Sequence, residues 1–305
     1  MTEEFVLETR NLTKSYKKST VLENADVRLK RGEIYGFIGE NGAGKTTFMR
    51  IVAGLSYPTS GDIYLFGQTG DRELRSQRRR LGCMIESPAL YGGMSARENL
   101  EVQRIQRGIE NANCIEETLE LVGLANTGSK RARDFSLGMR QRLGIAMALL
   151  GEAELLILDE PVNGLDPSGV AEVRGLMRRL NRERGVTLLV SSHILSELYQ
   201  TATRYILLHK GRILEELTSE ELDARCKKCV AIVSEQPTET IRVLKSTFGV
   251  VDARIEPDGT VLLYDHLDIL GDISRALSAG GVVVTEMTPK GETLEDYFLR
   301  SIGGK

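Results

Sequence analysis

Residues 39 to 47, GENGAGKTT, contain the residue types best suited to chemistry in this 305-residue sequence. They follow an apolar run, EIYGFI, that is typical of a strand, and they precede a helical pattern. The spacing matches a phosphate-binding loop, in which Lys45 contacts the β and γ phosphates and the hydroxyl of Thr46 binds Mg²⁺. The strand and helix around it favour this interpretation over an ordinary glycine turn. The loop residues predicted to surround the phosphates are Gly39, Asn41, Gly42, Ala43 and Gly44.

Two carboxylates end an apolar run far downstream, in LLILDEP at 155 to 161. Asp159 would lie at the carboxyl end of a sheet strand, where α/β proteins bind ligands, and can hold magnesium directly or through water. Glu160 is the next residue, so its side chain points in a different direction from that of Asp159. It is suited to orienting or deprotonating an attacking water. The alternative is a strand that ends in acidic turn residues, and the presence of the phosphate loop favours the functional interpretation.

A histidine ends the next apolar strand, in TLLVSSHIL. A lone histidine is more often a hydrogen-bonded core or surface residue than a ligand. Because His193 follows a buried strand after the two carboxylates, we predict that it contacts the γ-phosphate.

A further anion site is indicated by FSLGMRQRLGIAMALL, residues 135 to 150. Ser136 is a favourable N-cap because its hydroxyl can accept a hydrogen bond from a free amide. The start of the following helix is positively polarised and suited to an anion. The segment itself does not say which anion it faces.

The composition limits the function classes. The sequence is 41% hydrophobic and 27% charged with a net charge of -3, which gives no basic footprint for nucleic acid. The run QRRR at 77 to 80 is most simply a solvated helix face. No signal-peptide pattern and no membrane span is expected, and the four cysteines show no paired framework, so we predict a cytosolic protein in a reducing compartment.

The order of apolar patterns predicts an α/β fold. Strand patterns at 5–16 and 21–29 come first, and buried strand patterns then alternate with helical ones. This order is typical of a mainly parallel sheet covered on both faces, with an antiparallel β portion at the start. An arginine-rich stretch from about 71 to 134 contains helical patches.

The pattern changes beyond residue 217. A β-α-β-β-α-β order predicts a small α+β ferredoxin-like domain, followed by a helix over TLEDYFLRSI. Cys226 and Cys229 have metal-ligand spacing, but a CxxC without a second pair or a nearby histidine is weak evidence for zinc.

With these residues assembled, the chain resembles the ATP-binding cassette (ABC) ATPases. GENGAGKTT, FSLGMRQR, LLILDE, NGLDP and SSH follow that family's motif order, and the resemblance covers about residues 4 to 216. It implies a P-loop NTPase cassette over 4–216 with a helical subdomain at about 71–150, and an accessory domain over 217–305. In this family two cassettes associate head to tail around two ATP, so Ser136 and Gly138 would face the γ-phosphate bound by a second subunit.

Further site residues follow from the resemblance alone. Tyr16, in a loop before the second strand, matches the aromatic residue that stacks on adenine, although a half-buried tyrosine of a β layer is the alternative. Lys45, Thr46 and Thr47 match the phosphate and Mg²⁺ positions, and Asp159 matches the metal aspartate. Glu160 matches the catalytic base, Asp166 the cross-interface aspartate and His193 the switch histidine.

Two departures from the family pattern concern the signature segment and one metal position. Phe135, Leu137 and Met139 replace three of the usual signature residues. Glu86 stands where the family has a glutamine. The resemblance implies that Glu86 is a Mg²⁺ ligand, because a carboxylate can still ligate the metal, but it adds negative charge beside ATP. Both features resemble the bacitracin and lantibiotic-resistance branch of bacterial exporters.

The resemblance implies an ATPase with ATP and Mg²⁺ as cofactors, a second cassette, expected to be a copy of this chain, and a separate integral membrane permease. The protein would be cytoplasmic and bound to the inner face of the membrane through that permease, with coupling near Tyr91 and Met94. The expected process is export of an antimicrobial peptide or drug. The alternatives are a non-transport ABC ATPase acting on a ribosome, DNA or an envelope complex, and a nucleotide-binding regulator without turnover.

Overall fold

The computed structural model describes residues 4–17, 19–151, 153–193, 195–226, 228–250, 252–290, 297–298 and 301. The chain divides into two compact units, Met1–Ser219 and Glu220–Lys305. Over these residues, the first unit contains two sheets and the second contains one.

A six-stranded sheet with the strand order β5-β6-β7-β3-β8-β9 forms the centre of the first unit. Five of its strands are parallel, and β9 is antiparallel at one edge. Every residue of β3, β6 and β7 is buried, as expected for parallel strands covered on both faces. The predicted parallel sheet is confirmed. Its strands are β3 (Ile34–Ile38), β5 (Leu81–Met84), β6 (Leu155–Asp159), β7 (Thr187–Ser192), β8 (Arg204–His209) and β9 (Arg212–Thr218).

The predicted antiparallel β portion is the second sheet of this unit, with the order β2-β1-β4. Its strands are β1 (Phe5–Tyr16), β2 (Ser19–Lys30) and β4 (Ser60–Leu65). Alternating burial along β2 places its apolar residues in the core and its charged residues in solvent.

Seven helices are described in the first unit, and most match the helical patterns of the sequence. They are α1 (Lys45–Val52), α2 (Asp71–Gln77), α3 (Ala96–Arg107), α4 (Cys114–Leu121), α5 (Leu137–Leu149), α6 (Pro167–Arg184) and α7 (Leu195–Tyr199). Helix α3 begins with a capping box, because Ser95 Oγ accepts a bond from the Glu98 amide at 3.3 Å and Glu98 Oε2 accepts one from the Ser95 amide at 2.7 Å.

The range 71–150, predicted to be a helical subdomain, also contains the edge strand β5 of the central sheet. Sequence reasoning did not place this strand because it is only four residues long and follows a run of arginines. Helix α2 lies before β5 in this range, and the helices that pack together, α3, α4 and α5, all follow β5.

The second unit has the predicted β-α-β-β-α-β order and a four-stranded antiparallel sheet with the order β11-β12-β10-β13. This is the strand order of a ferredoxin-like fold. Only residues 297, 298 and 301 of the predicted final helix TLEDYFLRSI are described. The elements are α8 (Ser219–Arg225), β10 (Cys229–Ser234), α9 (Pro237–Phe248), β11 (Ala253–Ile255), β12 (Val261–Leu263), α10 (Leu270–Ala279) and β13 (Val284–Lys290).

A carboxylate between two arginines joins the starts of two strands of the central sheet. Glu154, just before β6, accepts hydrogen bonds from Arg80, just before β5, and from Arg31. The guanidinium of Arg80 also lies 3.7 Å from the ring centroid of Phe66. Hydrogen bonds and charge from Arg80 first, and from Arg31 second, lower the pKa of Glu154 to about 2.

We expect Glu154→Gln to lower the free energy of unfolding by roughly 1 kcal/mol at neutral pH, because the group is partly exposed to solvent. The folded-state pKa of Glu154 is depressed from 4.5 to about 2, so its stabilisation is present above pH 4.5 and is lost as the pH falls toward 2. Thermal unfolding of both proteins should show a difference at pH 7 that shrinks at pH 3. Glu183→Gln, on an exposed position of α6, is the control. A difference that does not change with pH would contradict this account.

Candidate active site

The phosphate loop connects the end of β3 to the start of α1. Gly42 and Gly44 have φ values of +83° and +113°, a region that favours glycine. A Cβ at Gly44 would also lie 2.8 Å from the backbone oxygen of Val21, and one at Gly39 would lie 2.5 Å from that of Leu208. The loop therefore needs glycine at these positions to follow its path between neighbouring backbones.

Lys45 is the first residue of α1, and its charged side chain is only 5% exposed. Its ammonium group donates hydrogen bonds to the backbone oxygens of Gly39 at 2.5 Å and Glu40 at 3.2 Å. Burial lowers the pKa of Lys45, while the charges of Glu160 and Asp159 oppose that shift. A phosphate in the loop would stabilise this buried cation, so the lysine fits the predicted ligand.

Three oxygen-bearing side chains meet at the carboxyl end of β6. Thr46 Oγ1 donates to Asp159 Oδ2 at 2.8 Å, and Ser191 Oγ donates to Asp159 Oδ1 at 2.5 Å. Asp159 is 4% exposed, and it pairs with Ser191 in the register of β6 and β7. Hydroxyl and carboxylate oxygens are ligands that Mg²⁺ prefers, so Thr46 and Asp159 fit a magnesium site. Sequence reasoning did not assign Ser191.

Glu160 and His193 contact each other directly, with 3.1 Å between Glu160 Oε1 and His193 Nδ1. The other carboxylate oxygen accepts a bond from Asn163 Nδ2 at 3.0 Å, and the Glu160 amide donates to Ser191 Oγ at 2.9 Å. Glu160 has a φ of +48°, an uncommon conformation for this residue type. The structure thus brings both predicted catalytic residues together next to Asp159, and adds Asn163, which sequence reasoning missed.

Comparison with known proteins identifies the family. A family model described as ABC transporter matches residues 22–163. Bacitracin transport ATP-binding protein BcrA of Enterococcus faecalis is 40% identical over 301 residues, which is 99% of this chain and 97% of that protein. The chain belongs to the ABC transporter family. Lantibiotic transport ATP-binding protein SrtF of Streptococcus pyogenes is 42% identical over 211 residues, covering 69% of this chain and 90% of SrtF.

Solved structures agree with this assignment. An ATP-binding cassette in a dimeric post-hydrolysis state bound to ADP and Pi is 28% identical with a TM-score of 0.63, covering 70% of this chain and 98% of its own. An ATP-binding subunit of an ABC transporter is 30% identical with a TM-score of 0.64, covering 72% of this chain and 92% of its own. The chain is an ATPase of the ABC transporter family, and its nucleotide is ATP.

Tyr16 of this ABC ATPase is the last residue of β1, and not part of a loop as the sequence suggested. Its side chain is 48% exposed, and the ammonium group of Lys14 lies 4.7 Å from its ring centroid. Its place in a strand and its partial exposure also fit the alternative, a half-buried tyrosine of a β layer. An exposed aromatic face is suited to stacking on a base, and that role stays a prediction.

The signature segment and the segment before α6 lie side by side. Ser136 caps α5 by accepting a bond from the Met139 amide at 3.2 Å, and Asp166 caps α6 through the Gly169 amide at 3.2 Å. A Cβ at Gly138 would lie 3.8 Å from a methyl group of Leu165. Within the described ranges, no hydrogen bond joins Ser136 to the phosphate loop. Its predicted contact with a second subunit's ATP remains a prediction.

Glu86 contacts an arginine in this structure. Its carboxylate oxygen lies 2.7 Å from Arg50 Nη2, and it has no described bond to Thr46 or Asp159. The role of Glu86 as a metal ligand stays a prediction.

Cys226 and Cys229, which have metal-ligand spacing in the sequence, are not in a disulfide; Cys226 is partly exposed and Cys229 is buried. Among the described residues, no group of three or more His, Cys, Asp or Glu side chains is arranged to hold a metal.

Proposed function

We propose that this chain is the ATP-hydrolysing subunit of a bacterial exporter for a peptide antibiotic or drug. The supporting observation is the 40% identity to BcrA, a bacitracin transport protein, which extends over 97% of that protein and so includes both compact units of this chain. A daunorubicin resistance ATP-binding protein of Streptomyces coeruleorubidus is 33% identical over 296 residues. The identity to BcrA is higher than the identity to this drug-resistance protein, which favours a peptide cargo over a drug.

The site supports hydrolysis of the γ-phosphoryl group by water. Lys45 and the loop amides bind the β and γ phosphates, and Thr46 and Asp159 hold Mg²⁺, which neutralises phosphate charge when bound. Glu160 orients a water and accepts its proton as the oxygen attacks phosphorus, giving ADP and phosphate. His193 contacts one oxygen of Glu160 and Asn163 donates to the other, and together they orient the carboxylate.

We propose that two cassettes enclose the nucleotides. The N-terminus of α5 carries a positive partial charge from its free amides, and Ser136 leaves several of them unbonded. A γ-phosphate held by a second copy would satisfy these amides. Asp166 lies at the neighbouring helix start and would cross the same interface.

A membrane permease is the other proposed partner, which places the chain on the cytoplasmic face of the membrane. No helix within the described ranges is long and apolar enough to span a bilayer. Tyr91 is 47% exposed in the segment between β5 and α3, which also contains Glu86. We propose that the permease contacts the protein there, near Tyr91 and Met94.

Copurification tests the partner. The tagged chain, expressed at low level in its source cell and extracted gently from membranes, is expected to recover one multi-span permease. A matched preparation of Tyr91→Ala is expected to recover less of it, because an aromatic anchor would be lost from the interface. Recovery of ribosomes, or of no membrane protein, would instead support the non-transport class.

A further inference from the structure

Arg50 and Glu86 form an ion pair next to the proposed magnesium site. The distance between Arg50 Nη2 and Glu86 Oε1 is 2.7 Å, and the two side chains are 45% and 61% exposed. Exposed pairs of this kind add little to stability, in the range of about 0–1 kcal/mol. The pair therefore matters less for the stability of the fold than for the position in which it holds the negative charge of Glu86.

The fold fixes the place of this pair. Thr46 and Arg50 are four residues apart on α1, so they lie on the same helix face about one turn apart. Strands β5 and β6 are parallel, with Met84 opposite Leu158, so the chain after β5 runs beside Asp159. Glu86 follows directly. Its carboxylate is bonded to Arg50, which lies one helical turn after the threonine whose hydroxyl bonds Asp159.

The bond to Arg50 holds the Glu86 side chain in this position. The Glu86 backbone has a φ of +65°, which costs about 1 kcal/mol for a residue with a side chain and does not itself hold the carboxylate in place. A carboxylate released from the arginine at this place would add negative charge beside the phosphates and one more oxygen within reach of a divalent cation.

We propose that Arg50 is a positioning residue for Glu86: it binds the carboxylate, neutralises it, and keeps it away from the cation held by Thr46 and Asp159. This inference rests on the proposed magnesium site. It gives a physical reason why a glutamate is compatible with the nucleotide site of this chain. The arginine and the cation compete for the same carboxylate.

The competition makes a specific prediction for cation affinity. Arg50→Gln frees Glu86, so the affinity of the ADP-loaded chain for a divalent cation is expected to rise about fivefold. In the Glu86→Gln background the same substitution removes only a neighbouring charge, and a change of less than about twofold is expected. The effect of Arg50 on cation affinity should therefore depend on Glu86.

Mn²⁺ is the probe, and its free concentration is measured by electron paramagnetic resonance in the presence of ADP and the full-length chain. The four proteins are the wild type, Arg50→Gln, Glu86→Gln and the double variant. Arg10→Gln is the control for removing an arginine from an ion pair, because Arg10 is itself exposed and pairs with Glu8 at 2.8 Å on β1. It is expected to bind Mn²⁺ as the wild type does.

Two results would overturn the proposal in different ways. Equal changes in both backgrounds, or no change in either, would reject the role of Arg50 while leaving the cation site in place. A wild type that binds ADP but no Mn²⁺ would reject the magnesium site itself, and the positioning role with it. Neither result depends on transport or on a permease, so the exporter proposal is tested separately.

Discussion

Replacing Glu160 with glutamine is expected to lower the rate of ATP hydrolysis by a factor of about 10²–10⁴, the usual contribution of a positioned general base. Glutamine keeps the shape of the side chain and can still bond Asn163 and His193, but it cannot accept the proton of the attacking water. ATP binding should be retained, because Lys45 and the loop bind the phosphates. The variant should then accumulate as an ATP-bound dimer.

Phosphate release and size-exclusion chromatography with and without magnesium-ATP measure these two effects. Glu183→Gln, on an exposed turn of α6, is the control and should hydrolyse ATP normally. Hydrolysis within a few-fold of the wild type would show that Glu160 is not the base. A Glu160→Gln variant that stays monomeric with magnesium-ATP would argue against the paired arrangement.

The sequence predicted the parts of this site that are contiguous or lie at strand ends. The phosphate loop is one segment between a strand and a helix, so its spacing alone determines its geometry. Asp159, Glu160 and His193 end two apolar runs, and such runs form parallel strands whose carboxyl ends share one edge. The contact between Glu160 and His193 follows from that arrangement.

The residues that sequence reasoning missed are those whose roles depend on register. Ser191 reaches Asp159 because these two residues are opposite each other in β6 and β7, and neither motif shows this pairing. Arg50 meets Glu86 only because α1 packs near the end of β5, a four-residue strand with little periodicity of its own. Asn163 is the first residue of the NGLDP motif. Its bond to Glu160 depends on the turn between the two residues, and the motif does not show the shape of that turn.

Replacing Lys45 with methionine is expected to weaken ATP binding by roughly 10- to 100-fold, the loss that follows from removing charged hydrogen bonds to phosphate. The charged group is buried and bonded to two loop carbonyls, so it is already positioned before nucleotide binds. Methionine retains an apolar stem of similar length, which keeps the buried space filled. The loss of affinity should therefore exceed the loss of stability.

Calorimetric titration with ATP and thermal unfolding of the same sample separate these two effects for Lys45→Met. Lys245→Ala, at an exposed position of α9, is the control for removing a lysine charge and should bind ATP as the wild type does. If Lys45→Met bound ATP normally, the loop amides alone would hold the phosphates and the buried ammonium would serve only the loop carbonyls. If the variant unfolded well below the wild type, the lysine would be needed first for the loop itself, because its bonds to Gly39 and Glu40 close the turn that the phosphates enter.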